Sequence, residues 1–450
     1  MRPSLALDYR PALFSRSGIA RVTRELARAL APLLAETGSP LQLYAHALRR
    51  PLDSAGHPCS ARLGQAGHPC SAQLRRLRLP GRLLQALAPL GLDAWRLSGK
   101  PQAFLWTDYV YPAISPGRPC KRWLLVHDLA FVEDPRFHGA KASEVLRRRF
   151  EKALAQADLL LYPSEATRDA LLQHYPGAMR DTHSQLLPFG LDHVPQPGAA
   201  EIQAAKAKAA RLLGSEEPYL VILGTLEPRK NHDSLLRALG LLAAEGRPIP
   251  LLVIGAPGWL SEELQARLRS HGPRLRNSRK NQGLSEELQG GSRGKVLERE
   301  SPRQNRGLSG EPQGRPRNRP RDIPGGAPGT KGGAPFPLAW TGPLPDAEVF
   351  PLLAGAAGLV YPSSLEGFGF PPLEALLLGT PVLAGDCPAL RETLAGQRGA
   401  LFADGRDPVA LAAQIPQLMT LGTGPCEQLR SRRWKAAAET LLPLLPKTDE

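Results

Sequence analysis

Short apolar runs alternate with helical patterns and Gly/Pro turns along most of this 450-residue chain. Ser4–Asp8, Tyr219–Leu223, Leu251–Ile254, Leu338–Trp340, Ala357–Tyr361 and Val382–Ala384 read as strands, and Ser261–Ser270, Asp346–Leu353 and Arg430–Leu445 as helices. Strands that are apolar throughout belong in sheets covered on both faces, and the strand–helix alternation makes those sheets parallel. The expected class is therefore α/β. A chain of this length holds two domains of ordinary size, here divided as 1–195 and 196–425.

The pattern fails between Gly272 and Phe336. That segment is rich in Gly, Pro, Arg and Asn and nearly free of aromatics, so it cannot bury enough apolar surface to order itself. Leu260-Ser-Glu-Glu-Leu-Gln265 recurs at a spacing of 24 as 284–289 and, with glycine and proline intruding, as 308–313. Repeats that stack into solenoids keep their apolar positions. These lose them, and the segment reads as a disordered basic insertion inside the second domain.

Charge changes the picture only through that insertion. The chain carries +15, and fourteen Lys/Arg against six Asp/Glu within 272–336 account for +8 of it. The remaining +7 is unremarkable for a cytoplasmic protein, with peripheral contact to an anionic membrane left open and no nucleic-acid partner expected. No apolar run approaches the eighteen or so residues of a membrane span, and Met1–Arg10 lacks the apolar core of a signal peptide. The expectation is a cytoplasmic protein, in part at the inner face of the membrane. Five scattered cysteines do not make a disulfide framework. His57, Cys59, His68 and Cys70 suggest a metal set, but they belong to an eleven-residue tandem duplication, Ala55–Ala61 repeated at Ala66–Ala72, that doubles any ligand by accident. No metal and no cofactor are expected.

The chemistry concentrates at Tyr361-Pro-Ser-Ser-Leu-Glu-Gly-Phe-Gly-Phe-Pro-Pro-Leu-Glu374. A strand runs into a loop carrying Glu366, Gly367, Phe368 and Gly369, and Pro371-Pro372 opens a helix with Glu374 in its first turn. Proline suits a first helical turn, glycines let backbone approach a ligand, and a helix start offers free N–H groups to a phosphate. Two carboxylates eight positions apart can hold the hydroxyls of a sugar and of a ribose. Upstream, Leu223-Gly-Thr-Leu-Glu-Pro-Arg-Lys-Asn-His-Asp233 places Arg229 and Lys230 in a loop, where they can neutralise a diphosphate, with Asn231 or Asp233 as helix cap. In the first half, the strand from Trp123 ends in His127-Asp128 at the crevice of an open parallel sheet. Gly18 stands before a helix in Arg16-Ser-Gly-Ile-Ala-Arg-Val-Thr-Arg24.

These segments resemble the glycosyltransferase group 1 family, the retaining nucleotide-sugar transferases with two Rossmann-like domains facing across a cleft (the GT-B fold). The family signature E-x7-E, in the setting E-G-F-G-x-P-x-x-E, is reproduced from Glu366 to Glu374. The resemblance implies that Lys230, with Arg229, Gly18, Gly367, Phe368, Gly369 and Glu374, binds the donor, and that Glu366 and His127 act at the transferred sugar. It also implies that 426–450 crosses back to the first domain. One departure stands out: the family commonly has arginine directly after the glycine of the Lys230 loop, and this chain has Thr225. E-P-R-K-N together with H-D-L most resembles bacterial mannosyltransferase-like members that build surface polysaccharides.

The implied reaction is retaining hexosyl transfer, with GDP-mannose as the favoured donor and a glycan or lipid-linked acceptor. No D-x-D triplet occurs, so metal chelation of the other major glycosyltransferase fold is not expected. A glycogen-type glucosyltransferase would favour a K-x-G-G start, which is missing. The alternative from another class is a catalytically inactive member that binds a nucleotide sugar or a partner protein.

Overall fold

The computed structural model describes residues 4–14, 17–46, 72–77, 83, 87, 90–109, 112–115, 117–271, 335–422 and 424–446. Most of the 272–336 insertion, and the paired His/Cys segment at 55–70, lie outside them.

Two parallel sheets organise the chain. The first contains β1 (Leu5–Asp8), β2 (Gln42–His46), β3 (Gln73–Leu77), β4 (Ala103–Trp106), β5 (Lys121–Leu125), β6 (Leu159–Tyr162) and β7 (His183–Leu186), in the order β3-β2-β1-β4-β5-β6-β7. The second contains β8 (Leu220–Leu223), β9 (Leu251–Ile254), β10 (Leu338–Trp340), β11 (Gly358–Tyr361), β12 (Val382–Gly385) and β13 (Ala400–Ala403), in the order β10-β9-β8-β11-β12-β13. All pairings within these sheets are parallel. Each sheet reverses its winding once, between β1 and β4 and between β8 and β11. Open α/β sheets bind ligands outside the carboxyl ends of strands at such a reversal. The connection after β1 runs through helix Arg10–Phe14 to Gly18 at the start of the next helix, the loops after β8 and β11 carry Lys230 and Glu366, and the loop after β5, one strand over, carries His127.

The strands are buried because their residues are apolar on both faces. Leu220 and Val221 have no exposed surface and Ile222 only 2%. Full burial of side chains of this size is worth about 1.5–3 kcal/mol each. Leu338 pairs with Leu251, so the strands flanking the insertion are neighbours. Phe336, placed by sequence inside the insertion, is buried in the second core, so ordered packing resumes ahead of β10.

The C-terminal segment differs from the single helix expected over 430–445. It forms Glu427–Arg430, a break, and Trp434–Leu441. The break lets the chain lie along the linker that joins the two sheets. Leu191 N–H donates to Arg432 O at 2.9 Å, Trp434 N–H donates to Asp192 Oδ1 at 2.9 Å, and a side chain on Gly190 would overlap Trp434 N at 2.2 Å. Helix Trp434–Leu441 then packs on helix Gly18–Glu36 of the first domain. Among the described residues no helix is long and apolar enough to cross a membrane.

Candidate functional site at the cleft between the sheets

Glu366 is the centre of a buried charge cluster. Its Oε1 lies 2.5 Å from Lys230 Nζ, 3.2 Å from Arg229 Nη1 and 3.0 Å from the Tyr361 hydroxyl. Lys230 also donates to that hydroxyl, and its ammonium sits 4.4 Å from the Tyr361 ring centroid. Burial alone would push the Glu366 carboxyl up, but Lys230 and then Arg229 outweigh it and hold it down at about 2. Burial dominates at Lys230, whose ammonium is lowered despite Glu366. Arg229 resists its own burial because Glu366 and Glu227 face it, the latter at 3.0 Å. The four charges cancel, so neither cation is a free loop charge.

The loop and helix starts are tied to each other. Asn231 occupies the N-cap of helix His232–Ala244 in a left-handed conformation, φ +50°, but its side chain does not cap it. Its Nδ2 instead donates to Pro362 O and Ser364 Oγ, at 2.7 and 2.6 Å, and Arg229 Nη1 donates to Leu365 O at 2.7 Å. Asp233, the other candidate cap, pairs with Arg237 and Arg267. The Lys230 loop and the Glu366 loop thus form one hydrogen-bonded unit.

Glu374 stands apart from that unit. The helix begins at Phe370, one residue before the prolines, which puts Glu374 in its second turn rather than its first. Its carboxylate is 97% buried and accepts from Arg21 Nη1 at 2.6 Å and from His193 Nε2 at 3.0 Å. Burial opposes its charge, yet Arg21 and His193 hold the carboxyl below its ordinary range. Arg21, from helix Gly18–Glu36, also reaches Asp346 at 2.8 Å, so one guanidinium joins two carboxylates of the opposite domain.

Both loop glycines answer to protein neighbours. A Cβ on Gly367 would lie 1.6 Å from His127 O, so here the close approach is between the backbones of the two domains. Ser164 Oγ donates to Gly367 O at 2.6 Å from the same side. Gly369 has φ +83°, a left-handed conformation that disfavours a side chain, and a Cβ would also meet Leu390 at 2.3 Å. Phe368 points into an aromatic cluster with Phe189 and Phe370, centroids 5.1 and 4.9 Å away. Gly18 differs, since a Cβ there would meet nothing within 4 Å.

His127 lies just beyond β5, half-buried, with Nε2 2.9 Å from Thr107 O. A carbonyl only accepts, so Nε2 carries a proton and, in the neutral ring, Nδ1 is the acceptor. Burial favours that neutral ring over its charged form. A further tie crosses the cleft: Glu392 Oε1 and Oε2 accept from Glu165 N–H and Ala166 N–H, each at 2.8 Å, at the start of helix Glu165–His174.

The structure therefore brings Arg229, Lys230 and Glu366 together, and sets Gly367 against His127. It places Glu374 in a second cluster with residues the sequence does not single out. Arg21 and Tyr361 lie inside the informative segments without a distinguishing spacing, and His193 carries no signal at all.

Two parallel Rossmann-like sheets with their strand-end loops meeting at one cleft define the GT-B fold class. Sucrose-phosphate synthase from Thermosynechococcus elongatus shares it, at 16% identity over 99% of this chain and 95% of that one, with a TM-score of 0.57. So does HepE of Anabaena, solved with UDP and glucose, at 13% identity over 98% and 95%, with a TM-score of 0.53. Residues 332–420 match the family described as glycosyl transferases group 1. These likenesses support a group 1 glycosyltransferase of the mannosyltransferase-like kind. It is 27% identical to O-antigen chain mannosyltransferase B of Escherichia coli over 350 residues, 75% of this chain and 74% of that protein. It is 25% identical over 233 residues to the mannosyltransferase WbdA of Escherichia coli, spanning 51% of this chain and 21% of that longer protein.

Proposed function

We propose that this protein transfers a hexose, with mannose from GDP-mannose as the favoured donor, to a glycan or lipid-linked acceptor during synthesis of a bacterial surface polysaccharide. The observation that carries the reading is the neutral Arg229–Lys230–Glu227–Glu366 cluster at the sheet reversals. An arriving diphosphate exchanges Glu366 for its own oxygens as partner of Lys230 and Arg229, and that exchange frees Glu366 for the hydroxyls of the sugar. The names of the relatives, all O-antigen or serotype mannosyltransferases in the first rank, support mannose and the polysaccharide setting.

In this mechanism the bond between the anomeric carbon and the diphosphate oxygen breaks, and an oxocarbenium-like sugar forms. Lys230, Arg229 and the amides at the start of helix Gly18–Glu36 stabilise the departing negative charge. The acceptor hydroxyl attacks from the face the diphosphate leaves, which retains configuration without an enzyme nucleophile or a metal ion. Glu366 shields developing positive charge, His127 contacts the sugar or the acceptor side, and Glu374 accepts from the ribose diol.

The test is a panel of nucleotide sugars with lipid-linked and soluble mannoside acceptors, read as nucleoside diphosphate release and as product anomeric configuration by NMR. GDP-mannose turnover giving an α-linked product is expected. Release from another donor alone would overturn the choice of mannose, and an inverted product would overturn retention. Donor binding without any transfer would favour the inactive-member alternative.

A further inference from the structure

The imidazole of His193 links the Glu374 helix to the C-terminal helix by hydrogen bonds, beside the ring stack of Phe370 on Trp434. Its side chain is 4% exposed, with Nε2 3.0 Å from Glu374 Oε1 and Nδ1 3.2 Å from the indole nitrogen of Trp434. An indole N–H can only donate, so Nδ1 must accept and the proton of the neutral ring stands on Nε2. That proton points at the Glu374 carboxylate. The opposite tautomer would set two N–H groups against each other on one side and a lone pair against a carboxylate on the other.

Trp434 is itself held firmly. Its backbone N–H is bound by Asp192, its ring lies 5.4 Å from Phe189 and 6.0 Å from Phe370, and Gly190 leaves room for its main chain. The charged groups around the imidazole are Glu374, Arg21, which shares Glu374 Oε1, and Asp192 alongside. We propose that His193 and Trp434 are positioning residues for the donor site. Trp434 selects the His193 tautomer, and the His193 Nε2–H with Arg21 fixes the Glu374 carboxylate in the orientation that receives the donor ribose. The C-terminal helix thereby reaches the donor site through one hydrogen-bond relay rather than by packing alone. This rests on the proposed role of Glu374 at the ribose.

Two measurements test it. Nitrogen chemical shifts of the His193 ring in the full chain should show Nε2 protonated and Nδ1 bare. Trp434→Phe, which keeps the stacked ring and removes the donor, should give mixed tautomers. In kinetics, His193→Phe should raise the donor KM roughly tenfold, the scale of one lost hydrogen bond to a charged group, with kcat little changed. His193→Gln, whose amide can still donate to Glu374, should restore most of that loss. An Nδ1-protonated ring in the wild type, or Trp434→Phe with the wild-type tautomer and donor KM, would overturn the relay even if His193→Phe failed to fold. Glu374→Gln separates the levels. If it leaves donor KM unchanged, the ribose role fails; if it raises KM while a folded His193→Phe does not, the positioning role alone fails.

Discussion

Replacing Lys230 with methionine tests the buried cluster most directly. Both partners of the Lys230–Glu366 pair are 9% exposed, and their charged atoms are 2.5 Å apart. Holding the Glu366 carboxyl at about 2 instead of 4.5 corresponds to about 3 kcal/mol of preference for its charged form. Lys230 supplies the largest favourable share of that, and Arg229 at 3.2 Å the next. Removing one partner of a buried pair costs about 3–5 kcal/mol because the other charge is stranded. Here Arg229 remains, so Lys230→Met should destabilise the protein by about 2–3 kcal/mol at pH 7. The sign with pH follows from the depressed carboxyl. Its contribution is fully present above the unfolded value near 4.5 and is lost as pH falls toward 2. The deficit of the mutant should therefore shrink on acidification from pH 7 to pH 4, as Glu366 takes up a proton in the mutant before it does so in the wild type. Urea unfolding followed by circular dichroism, on Lys230→Met, Glu366→Gln and the double variant, measures the coupling. A value of about 2 kcal/mol or more is expected, whereas additivity within about 0.5 kcal/mol would refute the coupled pair. A deficit that does not change with pH would refute the role given to the Glu366 charge.

Other outcomes follow from the same geometry. Glu374→Gln should weaken binding of free nucleoside diphosphate in calorimetry, while Glu366→Gln, which removes the carboxylate the diphosphate displaces, should not weaken that binding and should depress turnover; equal losses in binding would contradict the division between ribose and sugar. Gly367→Ala puts a methyl group 1.6 Å from His127 O, so transfer should fall by about a hundredfold or more and X-ray scattering should show a larger radius of gyration; unchanged dimensions and rate would sink the close backbone contact. Glu392→Ala removes two 2.8 Å bonds from an exposed carboxylate, a loss of about 1 kcal/mol, and should speed hydrogen exchange at Glu165 and Ala166 while leaving β-strand amides protected.

Much of the architecture was legible because its signals are local. Apolar runs such as Leu251–Ile254 have only one comfortable place, inside a covered parallel sheet, and Glu366 and Lys230 follow such strands directly. Their meeting in space needed only that β8 and β11 be neighbours. What stayed hidden depends on distance along the chain. Glu374 finds Arg21 353 positions away and His193 181 positions away, and no pattern of polarity encodes those partners. Gly367 read as room for a ligand, since a sequence cannot tell a ligand's approach from that of His127 O. The turn that Glu374 occupies was misplaced for a smaller reason. Gly369, left-handed at the N-cap, lets the helix begin at Phe370, ahead of the proline pair that usually marks a first turn.

The return of Trp434–Leu441 onto helix Gly18–Glu36 also sets the order in which the molecule can be completed during synthesis. Trp434, Ala437, Ala438 and Leu441 are all buried at 3% exposure or less, and helix Gly18–Glu36, on which their helix packs, is made about 400 residues earlier in the chain. A ribosome making this protein at roughly 5–20 residues per second leaves that apolar face of the first domain bare for about 20–80 seconds. The first sheet is complete only at β7, so for about the last 250 residues of that interval the first domain can stand as a folded body with an unclosed side. A premature stop near residue 430 would make the exposure permanent, leaving both Rossmann-like domains translated and an aggregation-prone patch in place of a seam.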